Sequence, residues 1–119
     1  MIDNFVEILI NKINEYYVCY YEEAPNDAKF PYLVIPTMQL TPLEDGYSAI
    51  FDIEIYTNEL STISIEKIMD DLRDKLDGFH IRNDKIGFHL GFDNHLVVKS
   101  TEQDIIIRRI TFTARIFKS

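Results

Sequence analysis

The chain has 119 residues and a formal net charge of −8, with 46% hydrophobic and 27% charged residues. This length suits a single domain, residues 1–119, whose core is large enough to need no disulfide or metal, and the hydrophobic fraction excludes a disordered chain. The acidic balance argues against phosphate binding as the main function, because contacts to phosphate need Lys and Arg. We therefore expect no specific binding of nucleic acid.

The N-terminal residues show no basic segment followed by an apolar block, and no apolar run approaches the roughly 18 residues of a membrane helix. The sequence therefore predicts neither a signal peptide nor a membrane segment. Cys19 is the only cysteine and has no internal disulfide partner. This favours a cytosolic protein or a part of a particle that is assembled inside cells.

The N-terminal segment is predicted to form an amphipathic helix that ends near Tyr16. Its apolar residues recur at steps of three and four, which places them on one buried stripe. Residues 18–21 are rich in strand-forming side chains and predict a short strand. The stripe consists of Ile2, Phe5, Val6, Leu9, Ile13, Tyr16 and Tyr17.

A second strand is predicted at residues 30–36, after a loop at residues 24–27. Pro31 and Pro36 bracket this apolar run. Because proline cannot donate to a sheet ladder, the two prolines are expected at the start of the strand and on an edge or bulge.

Residues 41–46 are predicted to form a loop, with Asp45 and Gly46 as its turn signal. Residues 47–56 then alternate, with apolar side chains at the odd positions. This pattern predicts a half-buried strand whose odd-numbered residues face the core.

A second helix is predicted to begin at one of three candidate N-caps, Ser61, Thr62 or Ser64. Gly78 is a suitable residue just past its C-terminus. Its acidic residues, which include Asp70 and Asp74, are interpreted as a solvated face. Its buried stripe consists of Ile65, Ile68, Met69, Leu72 and Leu76.

Three short strands are predicted next, at residues 79–82, 86–92 and 96–98. Gly87 and Gly91 suggest bulges or a close approach of the backbone in the second of them.

The C-terminal residues predict a long strand in which Arg108 falls on the apolar side. Ile105, Ile107 and Phe117 lie on the opposite side, and outward apolar residues of this kind often mark an interface. The alternative is that another segment covers them. The inward positions are Ile106, Ile110, Phe112, Ala114 and Ile116.

These elements together predict an α+β domain, with a mainly antiparallel sheet and two helices packed on one face.

The sequence contains no nucleophile elbow, phosphate loop or dinucleotide-binding glycine pattern. The histidines His80, His89 and His95 lack the one-turn spacing of a helical zinc site. We therefore expect no catalytic residues, no cofactor and no metal. The enzymatic alternative is a site assembled from His80, His89, Asp93 and His95.

Charge is divided unevenly along the chain. Up to Asp77 there are 16 acidic and 5 basic residues, a net charge of −11, and from Gly78 there are 4 acidic and 7 basic residues, a net charge of +3. Such a division suits head-to-tail contact between copies. The alternative is chance combined with one acidic helix face.

Arg109 and Arg115 point outward from the last strand, and Asp70 or Asp74 of a neighbouring copy could meet them. If the last strand instead lies beside the strand that carries Asp52, the outward charges neutralise each other within one sheet and contribute about 0.2–1 kcal/mol per pair.

The order of elements resembles a known family of phage proteins. The residues that carry the resemblance are 18–22 (VCYYE), 30–34 (FPYLV), 51–56 (FDIEIY), 72–78 (LRDKLDG) and 109–116 (RITFTARI). Together with the N-terminal helix, they resemble the small tail terminator, or tail completion, proteins of tailed phages, prophages and phage-tail-like bacteriocins. Residues 87–102 depart most from the pattern.

The resemblance implies a non-enzymatic virion structural protein that forms a ring, usually a hexamer. The ring would cap the tail tube and contact a sheath, collar or head connector protein, in a virion or phage-tail-like particle assembled in the host cytoplasm. The competing interpretation is a small acidic regulatory module that binds a single protein partner.

Overall fold

A computed structural model describes residues 2–58, 64–100, 102 and 104–118 of the chain. Over these residues the chain forms two helices and seven strands, which confirms the α+β class. In chain order the elements are α1 (Ile2–Asn14), β1 (Cys19–Tyr21), β2 (Tyr32–Ile35), β3 (Met38–Leu43), β4 (Gly46–Asn58), α2 (Ile65–Leu76), β5 (His80–Arg82), β6 (Ile86–Val98) and β7 (Ile105–Lys118).

The described strands form one sheet in the order β1-β2-β4-β7-β6-β5, and β3 also pairs with β4. The β1–β2 pairing is parallel, and the other pairings are antiparallel. At the centre, β4 and β7 pair from Gly46 opposite Phe117 to Asn58 opposite Ile105. On its other edge, β4 pairs with β3 along its first half and with β2 along its second half.

The core contains the buried residues of both helices and the odd-numbered residues of β4. Tyr16, predicted on the buried stripe of α1, is exposed and lies beyond the end of the helix. Phe5 lies with its ring centroid 4.9 Å from that of Phe88 and 6.3 Å from that of Phe51. The alternation predicted for β4 and β7 is confirmed. The predicted inward residues found in this cluster include Phe5, Leu9, Ile13, Phe51, Ile53, Ile55, Ile65, Ile68, Leu72, Leu76, Ile110, Phe112 and Ile116.

Helix α2 begins after Ser64, whose hydroxyl accepts a 3.2 Å hydrogen bond from the Lys67 N–H. Gly78 follows the helix with a φ of +82°, a conformation that glycine adopts without steric cost. These two predictions are confirmed, whereas Ser61 and Thr62 lie outside the described residues.

Helix α1 ends at Asn14, slightly earlier than predicted. The Asn14 side chain replaces a further helical turn, because its Oδ1 accepts a 3.1 Å hydrogen bond from the Cys19 N–H and its Nδ2 donates to the Cys19 carbonyl at 3.1 Å. The helix is thereby joined to the first residue of β1.

The loop predicted at residues 41–46 is wrong in its first half, because β3 continues through Leu43, opposite Gly46. Pro42 argued against a strand, but a missing N–H is tolerated on an edge strand. The turn is tighter than expected and consists of Glu44 and Asp45. Gly46 permits it, because a Cβ there would collide with the carbonyl oxygen of Ile116.

Pro31 directly precedes β2, so its predicted place at the start of the strand is confirmed. The predicted edge position is wrong, since β2 lies between β1 and β4. Pro31 and Pro36 flank β2 and lie outside its paired residues. The prolines therefore limit the length of this inner strand and do not mark an edge.

Two strands predicted at residues 86–92 and 96–98 form one strand, β6, with a bulge between Phe92 and Asn94. The extra residue is Asp93, not Gly87 or Gly91. The Thr113 hydroxyl donates a hydrogen bond to the Asp93 carboxylate, which holds the bulged residue against β7. The bulge therefore depends on a contact between side chains of β6 and β7, which the positions of the glycines in the sequence do not indicate.

Candidate functional site

The face of the sheet opposite the core carries the predicted interface residues of β7. Ile105 and Ile107 are half-buried there, beside the aromatic residues Tyr32 and Tyr56, whose rings stack with centroids 5.1 Å apart. Phe30 stacks on Tyr32 at 5.6 Å. These side chains line a hollow of about 500 Å³ together with two loops, which contribute Pro25, Asn26, Ala28, Lys99, Ser100 and Glu102. The loops thus cover Ile105 and Ile107 only in part.

Arg109 occupies the centre of this face and is engaged within the sheet. Its Nη2 donates to Glu54 Oε2 at 2.8 Å, and its Nε lies 3.8 Å from Asp52 Oδ2. The hydrogen bond from Arg109 to Glu54 raises the pKa of the guanidinium. The Thr111 hydroxyl donates to Asp52 Oδ1 at 2.6 Å. Two arrangements were considered from the sequence, contact with a neighbouring copy and neutralisation within the sheet. Arg109 shows the second, because the carboxylates of the neighbouring strand β4 neutralise it.

Arg115 and Phe117 lie at the other end of the same face. Arg115 donates to the Asp45 carboxylate and, at 3.2 Å, to the Tyr47 carbonyl, and its guanidinium lies 4.6 Å from the Phe117 ring centroid. The hydrogen bond from Arg115 lowers the pKa of Asp45. Arg115 therefore pairs with the β3–β4 turn, a partner that the sequence did not suggest.

Asp70 and Asp74 lie on the exposed side of α2, as predicted for a solvated face. Both face Arg73 of the same helix, at 3.4 and 4.0 Å. The structure does not bring them to Arg109 or Arg115 within one protomer, so a contact between these groups would have to join two copies.

Asp71 differs from its acidic neighbours. It accepts a 2.6 Å hydrogen bond from the Tyr17 hydroxyl, which joins α2 to the segment that follows α1. This bond is the main cause that lowers the Asp71 pKa. Burial and the same bond raise the pKa of Tyr17 to about 12. Sequence reasoning had assigned Tyr17 to the buried stripe of the helix and had not found this contact.

A cleft of about 330 Å³ separates α2 from the ends of β6 and β7. Arg108 lies in it and reaches Glu66 of α2 at 3.4 Å. Phe92 and His95 stack beside it with ring centroids 6.4 Å apart. Sequence analysis did not identify this cleft, although an arginine on the apolar side of β7 was a signal that the core opens there.

The residues of the enzymatic alternative occupy different places. His80 and His89 pair across β5 and β6, whereas His95 lies in the cleft beside α2. Asp93 bonds to Thr113. Within the part of the chain that the structure describes, no group of three or more His, Cys, Asp or Glu side chains is arranged to hold a metal ion.

Among the described residues, exposed apolar side chains lie at three places. Tyr16, Val18 and Tyr21, around the start of β1, are 36%, 51% and 40% exposed. The other two groups lie on β3 and β4 and on β6. Leu40 and Leu43 of β3, with Ile50 of β4, are about 40% exposed, and Leu96 and Val97 of β6 are 51% and 72% exposed. Sequence reasoning assigned Leu43 to a loop and Leu40 to no element, and it placed Ile50 on the outward side of its strand without identifying the group. The absence of charge in this stretch was the available signal.

No family model, curated protein or solved structure matches this chain. Neither described helix has the length and apolar content needed to cross a bilayer.

Proposed function

We propose that the protein is a non-enzymatic structural subunit resembling a phage tail terminator, and that it forms a ring of six copies that caps a tail tube and joins it to the connector or collar. Its partners in this proposal are copies of itself, the tail tube protein and a sheath, collar or head connector protein. Its site of action is the virion or a phage-tail-like particle assembled in the host cytoplasm.

One observation carries the proposal: the exposed apolar residues on β3 and β4 lie apart from those on β6. Leu43 pairs opposite Gly46 at one end of the β4–β7 ladder, whereas Leu96 pairs opposite Arg109, nearer the other end and on the other side of β7. A ring needs two different complementary patches on each subunit. The elongated protomer, 46 × 25 × 24 Å, holds them at a distance from each other.

We also infer that both helices cover the same face of the sheet. Phe5 of α1 and Leu72 of α2 are buried in the cluster that contains Phe51, and the Tyr17–Asp71 hydrogen bond joins α2 to the segment that follows α1. In this arrangement the opposite face, with the Arg109 network, remains available to line a ring or to meet a tube.

The acidic balance is consistent with a passage for DNA. A net charge of −8 repels phosphate, and a terminator lumen has to let DNA slide without retaining it. The acidic charge therefore supports the proposal, because a protein that binds DNA only weakly lets the DNA slide past it.

The second candidate is a small acidic module that binds a single protein partner. The hollow beside Phe30, Tyr32 and Tyr56 favours it, because stacked aromatic side chains form grooves that accept extended peptides. Such a module would bind one partner as a single copy or a dimer.

Electron microscopy of the purified protein mixed with polymerised tail tube protein separates the two candidates. The terminator proposal expects rings at one end of each tube, and a native mass near six times the 14.0 kDa of the chain for the released ring. Tubes without rings, together with a one-to-one complex with a different protein, would support the binding module.

A further inference from the structure

Among the described residues, two strand edges are exposed and carry no charged side chain. β3 pairs with β4 alone among the described strands, so its other edge presents backbone N–H and C=O groups. Residues 94–98 of β6 pair with β7, while β5 reaches only residues 87–89. Neither segment contains Asp, Glu, Lys or Arg. An exposed apolar edge of this kind is a template for a further strand.

The other ends of the sheet are protected in the usual ways. β1 has three residues and is followed by Glu22 and Glu23, and β5 has three residues and contains Arg82. Short edge strands and charged side chains are devices that prevent pairing between molecules. β3 has six residues, and neither β3 nor residues 94–98 carry a charged side chain. Their remaining protection is limited to Pro42, which lacks one backbone N–H, and to the bulge at Asp93 beside residues 94–98.

The two exposed edges have compatible directions. β3 runs antiparallel to β4, β4 antiparallel to β7, and β7 antiparallel to β6. In two copies with the same orientation, β3 of one copy therefore meets β6 of the next in an antiparallel arrangement, which is the more stable type of pair.

The cleft beside α2 provides space for the side chains of an added strand. Val97 and Phe92 line it from β6, and Met69 lines it from α2. Leu40 of β3 pairs opposite the buried Ala49, so it points to the same side of the sheet as the core. When a strand joins a sheet edge, alternate side chains enter adjacent pockets and provide specificity.

The proposed contact itself contains no charged side chain, and Arg109 and Arg115 of the basic part of the chain pair with Glu54 and Asp45 of their own protomer. The opposite net charges of the two parts of the chain therefore do not decide which edges pair.

We infer that copies of this protein assemble by adding β3 of one copy antiparallel to residues 94–98 of the next, with Leu40 in the cleft beside α2. This inference deepens the proposed function, because it rests on the self-assembly that the ring requires. The contact is heterologous, so it closes a ring if the rotation per copy permits and otherwise extends a filament.

Cysteine cross-linking of the purified protein tests the contact. Thr41→Cys and Leu96→Cys are made separately in the full chain. Cys19 is retained, because burial raises its pKa to about 12 and keeps its thiol protonated. Under mild oxidation, a mixture of the two variants should give a disulfide-linked pair of one copy of each. The double variant should give a ladder of oligomers.

Efficient dimers of the Thr41→Cys variant alone would overturn the inference in favour of pairing between identical edges. The absence of any cross-linked product at high protein concentration would also overturn it. Moving the cysteines to Gln39 and Asn94 repeats the test in a second pair of positions, so that one unfavourable register does not decide the result.

A lysine on the edge gives a second measurement. Thr41→Lys should weaken association at least about tenfold in sedimentation analysis. Asn11→Lys on the exposed side of α1 is the control, because it adds the same charge away from both edges. Equal association of the two variants, with thermal unfolding unchanged, would contradict the inference.

The failure of this inference can be distinguished from the failure of the proposed function. If Thr41→Lys still forms rings on tail tubes, the edge contact is wrong and the terminator proposal stands. If the edges cross-link as expected but the assemblies do not bind to the ends of tail tubes, the edge contact stands and the terminator proposal fails.

Discussion

The central ladder of the sheet and its outer edges use charge in opposite ways. On β4 and β7, Arg109 and Arg115 find carboxylates of the same protomer, Glu54 and Asp45. On β3 and at the end of β6, no charged side chain is present. The comparison teaches that Arg109 and Arg115 stabilise the protein's own sheet, while its exposed apolar edges carry no charged side chain.

The largest effect is expected from breaking the core beneath the central ladder. Leu72 is fully buried on α2, so Leu72→Ala should lower the free energy of unfolding by about 2–5 kcal/mol through a lost contact and a cavity. Leu96→Ala, at a side chain that is half exposed, is the control and should change stability by less than about 0.5 kcal/mol. Urea unfolding measures both, and equal losses would show that the edge is part of the core.

A substitution directly after the β3–β4 turn tests the point where the edge strand β3 joins the central ladder. Gly46→Ala should destabilise the protein by more than about 1 kcal/mol, because its φ is positive and a Cβ would meet the Ile116 carbonyl. Gly87→Ala is the matched control, since a Cβ there meets only ordinary contacts. If the two variants unfold at the same denaturant concentration, the turn differs from the one described.

Charge reversal tests the claim that Arg109 acts within its own sheet. Arg109→Glu places a third carboxylate beside Asp52 and Glu54 and should cost about 0.5–3 kcal/mol of stability. Arg73→Glu, on the exposed side of α2, is the control and should have a smaller effect. The assembled mass should not depend on Arg109 or on salt. A mass that falls while unfolding stays unchanged would identify Arg109 as an interface residue.

The smallest effect is expected from the hydrogen bond between Tyr17 and Asp71. The folded pKa of Asp71 is lowered, so its stabilisation is complete above the ordinary value of about 3.9 and is lost as the pH falls through the folded pKa. The pKa of Tyr17 is raised to about 12, so its contribution is complete below about 10 and is lost as the pH rises towards that value.

Tyr17→Phe should therefore lower stability at neutral pH and flatten the dependence on pH at both ends. Tyr21→Phe, at an exposed position of β1, is the control. Urea unfolding at several pH values compares the two, and identical profiles would show that the hydrogen bond contributes nothing in solution.

The regular elements could be predicted from the sequence because local pattern dictates them. The alternation in β4 and the stripe in α2 each follow from which residues are apolar, and Ser64 and Gly78 mark the ends of α2 by their own chemistry. The exposed β3 could not be found in this way, because its residues bury little and Pro42 argued against a strand. Asp93 became the bulge through a contact with Thr113 that depends on the register of two strands.

The site was predictable only where a residue departs from its pattern. Ile105 and Ile107 stood out because they are apolar on the outer side of β7, and the structure places them beside an aromatic hollow. The partner of Arg115 could not be predicted, since Asp45 approaches it only after β3 and β4 form a hairpin. The edges were missed because uncharged residues give no signal until the pairing of strands is known.

The central ladder also affects how the chain folds. β4 ends at Asn58 and its partner β7 begins at Ile105, so residues 59–104 must be made before the pairing can start. Contacts between distant parts of a chain form slowly, since loop closure costs entropy before the contacts offset it. During synthesis, β4 and β6 expose apolar faces and unpaired strand edges until β7 has been made and pairs with both. A chain that is truncated within β6 lacks β7 and should therefore be prone to aggregation.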